Sequence, residues 1–210
     1  MPLETFERLP QEKRQRIIDA GIRAFGQKSY QDVRTEFLTK ECQISKGLLF
    51  HYFGSKKEYY LYCLKISMER LTGPTAPSVG VDFYEILFDS MKRKMEVCML
   101  HPNETYMVNM ASRELSAEIA REKSEILRNY RAKIHMESAK TMKTAAACLN
   151  LKESINYSLT LEALHLYVNA VLNRYLLQYQ QTPDRFFENR DEIQKEMRKY
   201  LDLMLFGICE

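Results

Sequence analysis

Ser45-Lys46-Gly47-Leu48-Leu49-Phe50-His51-Tyr52-Phe53-Gly54-Ser55-Lys56-Lys57-Glu58 is the stretch that decides how the rest of the chain is read. Ser55 with Glu58 three residues on has the capping-box pattern, so a helix N-terminus is predicted there, with the helix running to Leu71. Ser45 to Phe53 reads as a shorter helix, and Arg34 to Cys42 as another ahead of it. Further upstream, Ile17, Ile18, Gly21, Ile22 and Phe25 fall on one face of a helix that starts near Pro10 and stops around Gly26. Leu38 and Cys42 form the inner edge of the first short helix, Ile44 plugs the turn, and Leu49 and Tyr52 anchor the second. Two short helices so packed are a helix-turn-helix. Lys46, Gly47, Leu48 and the Phe50–His51 pair are left facing outward, on the side that would enter a major groove.

Beyond this head the chain loses its punctuation. Six of its seven glycines precede residue 81, and residues 103–182 contain neither glycine nor proline. A breaker-poor run rich in Ala, Leu, Lys, Glu and Met is predicted helical. Helices are expected at about 81–100, 103–111, 113–149, 152–181 and 185–207, with Pro102 and Pro183 marking two breaks and one further break allowed within 113–149. Residues 73–80, with two glycines and two prolines, read as an irregular connection. The expected division is therefore a helix-turn-helix domain at 1–72, its motif at about 34–53, and a larger helical domain at 73–210. Alternating β-branched runs do not occur, so the fold class is all-α, with about nine helices expected.

The residues 45–58 carry a resemblance. Ser45-Lys46-Gly47, His51-Tyr52-Phe53 and Ser55-Lys56, preceded by the helix Arg16 to Phe25 and an aromatic at Tyr30, resemble the DNA-binding head of TetR/AcrR-type transcriptional regulators over about residues 12–62. The resemblance implies a three-helix head joined by a long fourth helix to an effector-binding and dimerisation body. It implies that Arg34, Thr35, Ser45, Lys46, Gly47, Leu48, His51, Tyr52 and Lys56 face DNA. Gly47 would allow close backbone approach, Tyr52 would pack its ring inward and offer its hydroxyl to a phosphate, and Lys56 would add its charge to the N–H groups of a helix end. Val33, Arg34, Thr35, Thr39 and Gln43 depart from the family pattern. If the turn requires φ > 0, Gln43 is strained where glycine would not be. Leu48 and Phe50 replace two hydrogen-bonding groups of the reading face, which shifts base preference toward thymine methyl contacts and toward Lys46, Arg34 and His51.

Other motifs fall away on inspection. Gly21 to Ser29 misses the spacing of a phosphate-binding loop and follows no strand. Glu162 and His165 share a helix face, as in di-iron bundles, but the second pair and two further glutamates are lacking. His101 and His135 have no recognisable nucleophile or base partner, and each reads as a structural or surface histidine. The aromatic crowd from Phe50 to Tyr62 has core spacing rather than that of a single-strand stacking platform. No catalytic residues, cofactor or metal ligands are assigned, and no enzyme activity is expected. Five scattered cysteines, charges throughout the first twenty residues and no long apolar run point to a cytoplasmic protein with no membrane partner.

Two apolar stripes remain: Ile155, Leu159, Ala163, Leu166, Ala170 and Leu177, and then Ile193, Met197, Leu201, Met204 and Ile208. Either could face the domain's own core, while the resemblance implies that part of them joins a second copy, giving a homodimer through the last two helices. Eleven methionines and thirteen tyrosines could wall a pocket for an apolar or aromatic effector. The resemblance places that pocket among the helices after residue 80, bounded by the helix of Tyr62 and Ile66. The expected function is a repressor on a palindromic operator in double-stranded DNA, released by the effector. The alternative is a helical sensor that has lost specific DNA binding, suggested by Val33, Gln43, Leu48 and Phe50. Charge agrees with the first: residues 1–72 hold 13 Lys+Arg against 9 Asp+Glu, a balance of +4, whereas the remaining 18 against 19 give −1.

Overall fold

A computed structural model describes residues 4–73, 78–179 and 182–209, the side chains of Leu176 and Pro183 aside. Its elements are α1 (Glu4–Glu7), α2 (Gln11–Gln27), α3 (Thr35–Cys42), α4 (Lys46–Phe53), α5 (Lys56–Leu71), α6 (Phe83–Leu100), α7 (Pro102–Arg113), α8 (Ala120–Ala146), α9 (Tyr157–Gln178), α10 (Pro183–Glu188) and α11 (Arg190–Ile208). The chain is all-helical; the described residues hold no strand, only an isolated bridge between Leu151 and Cys209. Part of the connection expected at 73–80, residues 74–77, lies outside the described residues. Two expectations are refined. The long 113–149 stretch breaks at residues 114–119, and a four-residue α1, unexpected from the sequence, seats Phe6 in the core against Tyr52, Phe53 and Tyr62 at ring separations of 5.6, 4.8 and 5.8 Å.

The chain forms two compact units, and packing groups it differently from the role-based division at residue 72. The first unit unites residues 1–74 with 100–133; the second unites 75–99 with 134–210. In the first unit, α2 and α5 cross at Gly21, where any Cβ would fall under 3.0 Å from Tyr59 and Cys63. Only hydrogen lets the two helices come that close. The Tyr59 hydroxyl donates to the carbonyl of Ile17 at 2.5 Å and lies 3.2 Å from the Cys42 Sγ, so burying this phenol leaves no orphaned polar group. α7 lies along α2 at Gly26, whose missing Cβ leaves room for the backbone of Met107. Arg70 of α5 ties the three helices together, donating to Asp19 of α2 at 2.9 Å and to the nearly buried Glu104 of α7.

In the second unit the best-packed pair is α9 with α11. Ile193, Met197, Leu201 and Leu205, four residues apart on α11, are all buried, so most of the second apolar stripe turns into the unit's own core. The first stripe behaves otherwise. Leu164, Val168 and Tyr175 of α9 are buried, whereas Leu159, Leu166 and Leu177 stand 64%, 62% and 69% exposed. Polar links brace the pair: the Tyr167 hydroxyl donates to the Tyr200 carbonyl at 3.0 Å, and the Arg174 guanidinium lies over the rings of Tyr175 and Tyr200.

Candidate nucleic-acid interface

The head presents one helix outward by anchoring its other side. Ser45 caps α4, its Oγ accepting from the N–H of Leu48 at 3.2 Å, and Ser55 caps α5 by accepting from Glu58 at 3.1 Å, as the spacing predicted. Leu49, Tyr52 and Phe53 are buried against the core. Those anchors leave Lys46, Gly47, Leu48 and His51 exposed together on one surface, with Phe50 only half-buried. A Cβ on Gly47 would meet nothing nearer than the Ser45 Oγ at 3.9 Å, so the fold itself does not demand glycine there. Arg34 is exposed and Thr35 half-buried at the start of α3. The turn between α3 and α4 rests on Gln43, the one non-glycine residue at positive φ among those described (φ 56°, ψ 44°). Its N–H donates to Lys40, and that of Ile44 donates to Thr39, closing the end of α3. Gly54 ends α4 at φ 75°.

Each lysine of this surface already has an intramolecular neighbour. Lys46 reaches Glu36 of α3 at 2.9 Å, and this bond, with the lysine's charge, holds the glutamate below the usual carboxylate range. Both side chains are more than half exposed, so solvent screens the pair and it adds little to stability. Lys57 pairs with Glu122 of α8 at 2.7 Å. The ammonium of Lys56 sits 4.4 Å from the centre of the Tyr30 ring, a cation–π contact, and partial burial pulls its pKa below the ordinary lysine value against the opposing pull of Glu118, Asp32 and Glu114.

Tyr30 is fixed in turn. Its hydroxyl donates to Glu118 at 2.7 Å and its N–H to Glu114 at 2.6 Å; burial and the Glu118 bond push its phenol pKa up. Tyr52 packs its ring inward beside Phe6, and its hydroxyl has no protein partner among the described residues. The nine residues expected at the interface thus fall on or beside α3, α4 and the start of α5, with Tyr52 the buried one. Sequence reasoning missed the carboxylates beside these cations and Tyr30: Glu36, Glu114, Glu118 and Glu122. The last three lie 65–88 residues from their partners in sequence, a separation no local pattern reveals.

In the second unit an open recess of about 460 Å³ is lined by residues including Val79, Phe88, Asp89, Lys92 and Gln194. The Asp89 carboxylate is already occupied, by the N–H of Val79 and the guanidinium of Arg93. The described residues hold no group of three or more His, Cys, Asp or Glu that could hold a metal ion, and none of their helices is long and apolar enough to cross a membrane.

Comparison with known proteins places these features. Residues 17–62 match the model of bacterial regulatory proteins of the tetR family. Two Bacillus subtilis (strain 168) HTH-type transcriptional regulators are similar: YuxN, 40% identical over 53 residues, 25% of this chain and 18% of that one, and YerO, 28% identical over 138 residues, 64% of this chain and 45% of that one. The chain therefore spans less than half the length of either. Among solved structures, a TetR family transcriptional regulator from Chloroflexus aurantiacus J-10-FL superposes with TM-score 0.63 at 21% identity over 100% of this chain and 99% of that one. One from Streptomyces coelicolor gives 0.65 at 14% identity, over 93% and 82%. The FadR regulator of Bacillus subtilis, solved with stearoyl-CoA, gives 0.58 at 14% identity over 87% and 96%. At these identities the structures establish the fold, and the chain is therefore all-helical in the manner of TetR-family structures, with residues 17–62 matching the helix-turn-helix head of the tetR family of bacterial regulatory proteins.

Proposed function

We propose that the protein is a homodimeric repressor that grips a palindromic site in double-stranded DNA and releases it when a small effector binds in the body. The observation that carries the reading is the outward face of α4: an exposed Lys46–Gly47–Leu48–His51 surface on buried anchors, beside the lysines that open α5. In this reading residues 1–72 bind DNA through Arg34, Thr35, Ser45, Lys46, Gly47, Leu48, His51, Tyr52 and Lys56, and residues 73–210 bind the effector and pair the subunits. Half-sites would sit about 34 Å apart or a multiple of it. Pairing would use α9 and α11, where Leu159, Leu166, Leu177, Leu203 and Phe206 are exposed although they are large and apolar. An effector that binds one head spacing better than the other needs about 1–3 kcal/mol of coupling to change occupancy. The stearoyl-CoA in the FadR structure supports a small-molecule role for a body of this fold. A protein of this kind works in the cytoplasm, where its DNA is.

Lys56→Ala tests the interface. It should weaken binding to every duplex alike and flatten the dependence of log K on log salt by about 0.9; an unchanged affinity and slope would remove Lys56 from the interface. The second reading, a sensor without specific DNA recognition, draws on Leu48 and Phe50, apolar groups where base edges would be read. Footprinting on the DNA flanking the protein's own gene separates the two. Sequence-selective protection supports the repressor, and salt-sensitive binding without preference supports the sensor.

A further inference from the structure

A carboxylate sits among the cations on the outward surface of the head. Glu36, in the first turn of α3, holds its Oε1 2.9 Å from the Nζ of Lys46, the residue that opens α4. Both side chains are more than half exposed, so water alone covers the couple. The charge of Arg34 bears on the same carboxylate. On a surface that meets phosphates an anion lowers affinity for every duplex alike. The first turn of a helix favours an acid, which suits Glu36 to α3 but does not explain why its carboxylate lies against the first residue of α4.

In a helix-turn-helix the N-terminal residues of the second helix meet base edges. Any edge within reach of the Lys46 ammonium therefore lies beside the Glu36 carboxylate as well. The major-groove edge of a base pair offers the complement: a keto oxygen, guanine O6 or thymine O4, next to an amino group, cytosine N4 or adenine N6. Those two groups are joined by the pair's own N–H···O bond, about 2.9 Å long, which is also the spacing of Nζ and Oε1 in the couple. The ammonium fits the keto oxygen while the carboxylate accepts the free N–H of the amino group. With the base pair turned end for end, ammonium meets amino group and carboxylate meets keto oxygen, and both contacts repel. Between the two pairs of correct order, guanine adds N7 beside O6 as a second acceptor, where thymine carries its methyl group.

We propose that Glu36 and Lys46 act as one specificity-determining couple that reads the keto–amino order of a single base pair in each half-site, taking G·C first, T·A second and rejecting C·G and A·T. The proposal rests on the DNA-binding reading of the head and adds to it Glu36, which is not among the nine residues assigned there.

Selection from a pool of duplexes with a randomised core, carried out with the full chain and with Glu36→Gln and Lys46→Met, tests it. The wild-type chain should select G, then T, at one position of each half-site. Both variants should lose that preference at the same position and keep the others. Fluorescence anisotropy on four duplexes that differ only there gives the size: C·G and A·T should bind the wild-type chain about tenfold more weakly than G·C. In Glu36→Gln, whose amide can turn either its oxygen or its nitrogen to the base, that ratio should fall to about twofold or less. Both residues are exposed, and circular dichroism confirms that each variant is folded. If Glu36 serves only the end of α3, Glu36→Gln changes affinity for all four duplexes equally, and the proposal is overturned. Loss of preference at different positions in the two variants, or a shared position that groups G with A, overturns it too. A wild-type chain that selects a sequence which both variants also select refutes this couple alone, whereas a wild-type chain that selects none refutes the specific DNA-binding reading and the couple with it.

Discussion

Replacing Gln43 by glycine should stabilise the head, and the structure supplies each part of the sum. At φ 56° and ψ 44° the residue lies in the left-handed region, where an L side chain costs about 1–2 kcal/mol because its Cβ crowds the following carbonyl. Glycine removes that cost but loses about 0.5–1 kcal/mol through its greater freedom in the unfolded chain. Nothing else changes. The Gln43 side chain is exposed and makes no recorded bond, and the N–H groups of Gln43 and Ile44 keep their acceptors at Lys40 and Thr39. Taking the middle of each range, the net gain is about 0.75 kcal/mol, or about 1.5–3 °C in a melt of a chain this size. With two compact units a single melting curve mixes transitions, so amide hydrogen exchange at Leu38 and Leu49 is the sharper assay. Exchange there should slow by about two- to fivefold. Gln43→Ala keeps the Cβ and should change little. Gly54→Ala is the mirror test: its φ is 75°, its new Cβ would have nothing within 4 Å, and backbone strain alone should cost about 1–3 kcal/mol. Unchanged or faster exchange in Gln43→Gly would refute the reasoning, as would a Gln43→Ala gain of the same size.

Three further outcomes are expected. Gly21→Ala gains about 1 kcal/mol of helix propensity, yet its Cβ collides with both Tyr59 and Cys63, so overpacking of about 1–3 kcal/mol should win and the midpoint in urea should fall. Tyr59→Phe should not rescue it, because a ring carbon lies as close as the hydroxyl. Glu122→Gln removes the carboxylate that competes for Lys57, so anisotropy on an arbitrary labelled duplex should show tighter binding and a salt slope steeper by up to about 0.9; an unchanged slope would mean that Lys57 takes no part. For His165, burial first and then His135 and Lys94 lower the folded pKa below the unfolded value of about 6.5. The unfolded chain therefore binds the proton first. The neutral ring's contribution is fully present above about pH 6.5 and is lost as pH falls below it, until the folded pKa is reached. His165→Gln should remove that portion of the pH dependence of urea stability, and an identical pH profile in the variant would count against it.

What could be read from the sequence was local, and what could not was remote. The cap at Ser55 and the turn at Gln43 were legible because each depends on residues within four positions. The buried seat of Phe6 was not, since a four-residue helix has no periodicity to read. Nor was the face of α9 that points outward: leucines at 159, 164, 166 and 177 surround the helix, so period alone cannot say that Leu164 is buried while its neighbours are exposed. α11 has charge along one side, and its inward set was partly visible as Ile193, Met197 and Leu201. On the outward surface of α4 and the start of α5 the cations were legible from the motif. Their carboxylate neighbours at Glu118, in the break before α8, and Glu122, on α8, were not, because only the fold brings that stretch beside them. His135 was read without a sequence neighbour and His165 beside Glu162; their ring contact at 4.6 Å joins α8 to α9 and no local pattern reveals it.

The crossing at Gly21 also seals two thiols. Cys42 and Cys63 lie fully buried around the Tyr59 hydroxyl, and burial raises the pKa of both, whereas Cys148 is exposed. A thiolate, not a thiol, is what alkylating reagents attack. Cys148 should therefore react with a maleimide on mixing, while Cys42 and Cys63 wait for the α2–α5 contact to part. The chain carries its own clock: the lag between the first label and the last two measures how often the DNA-binding head opens, with no probe added to the protein.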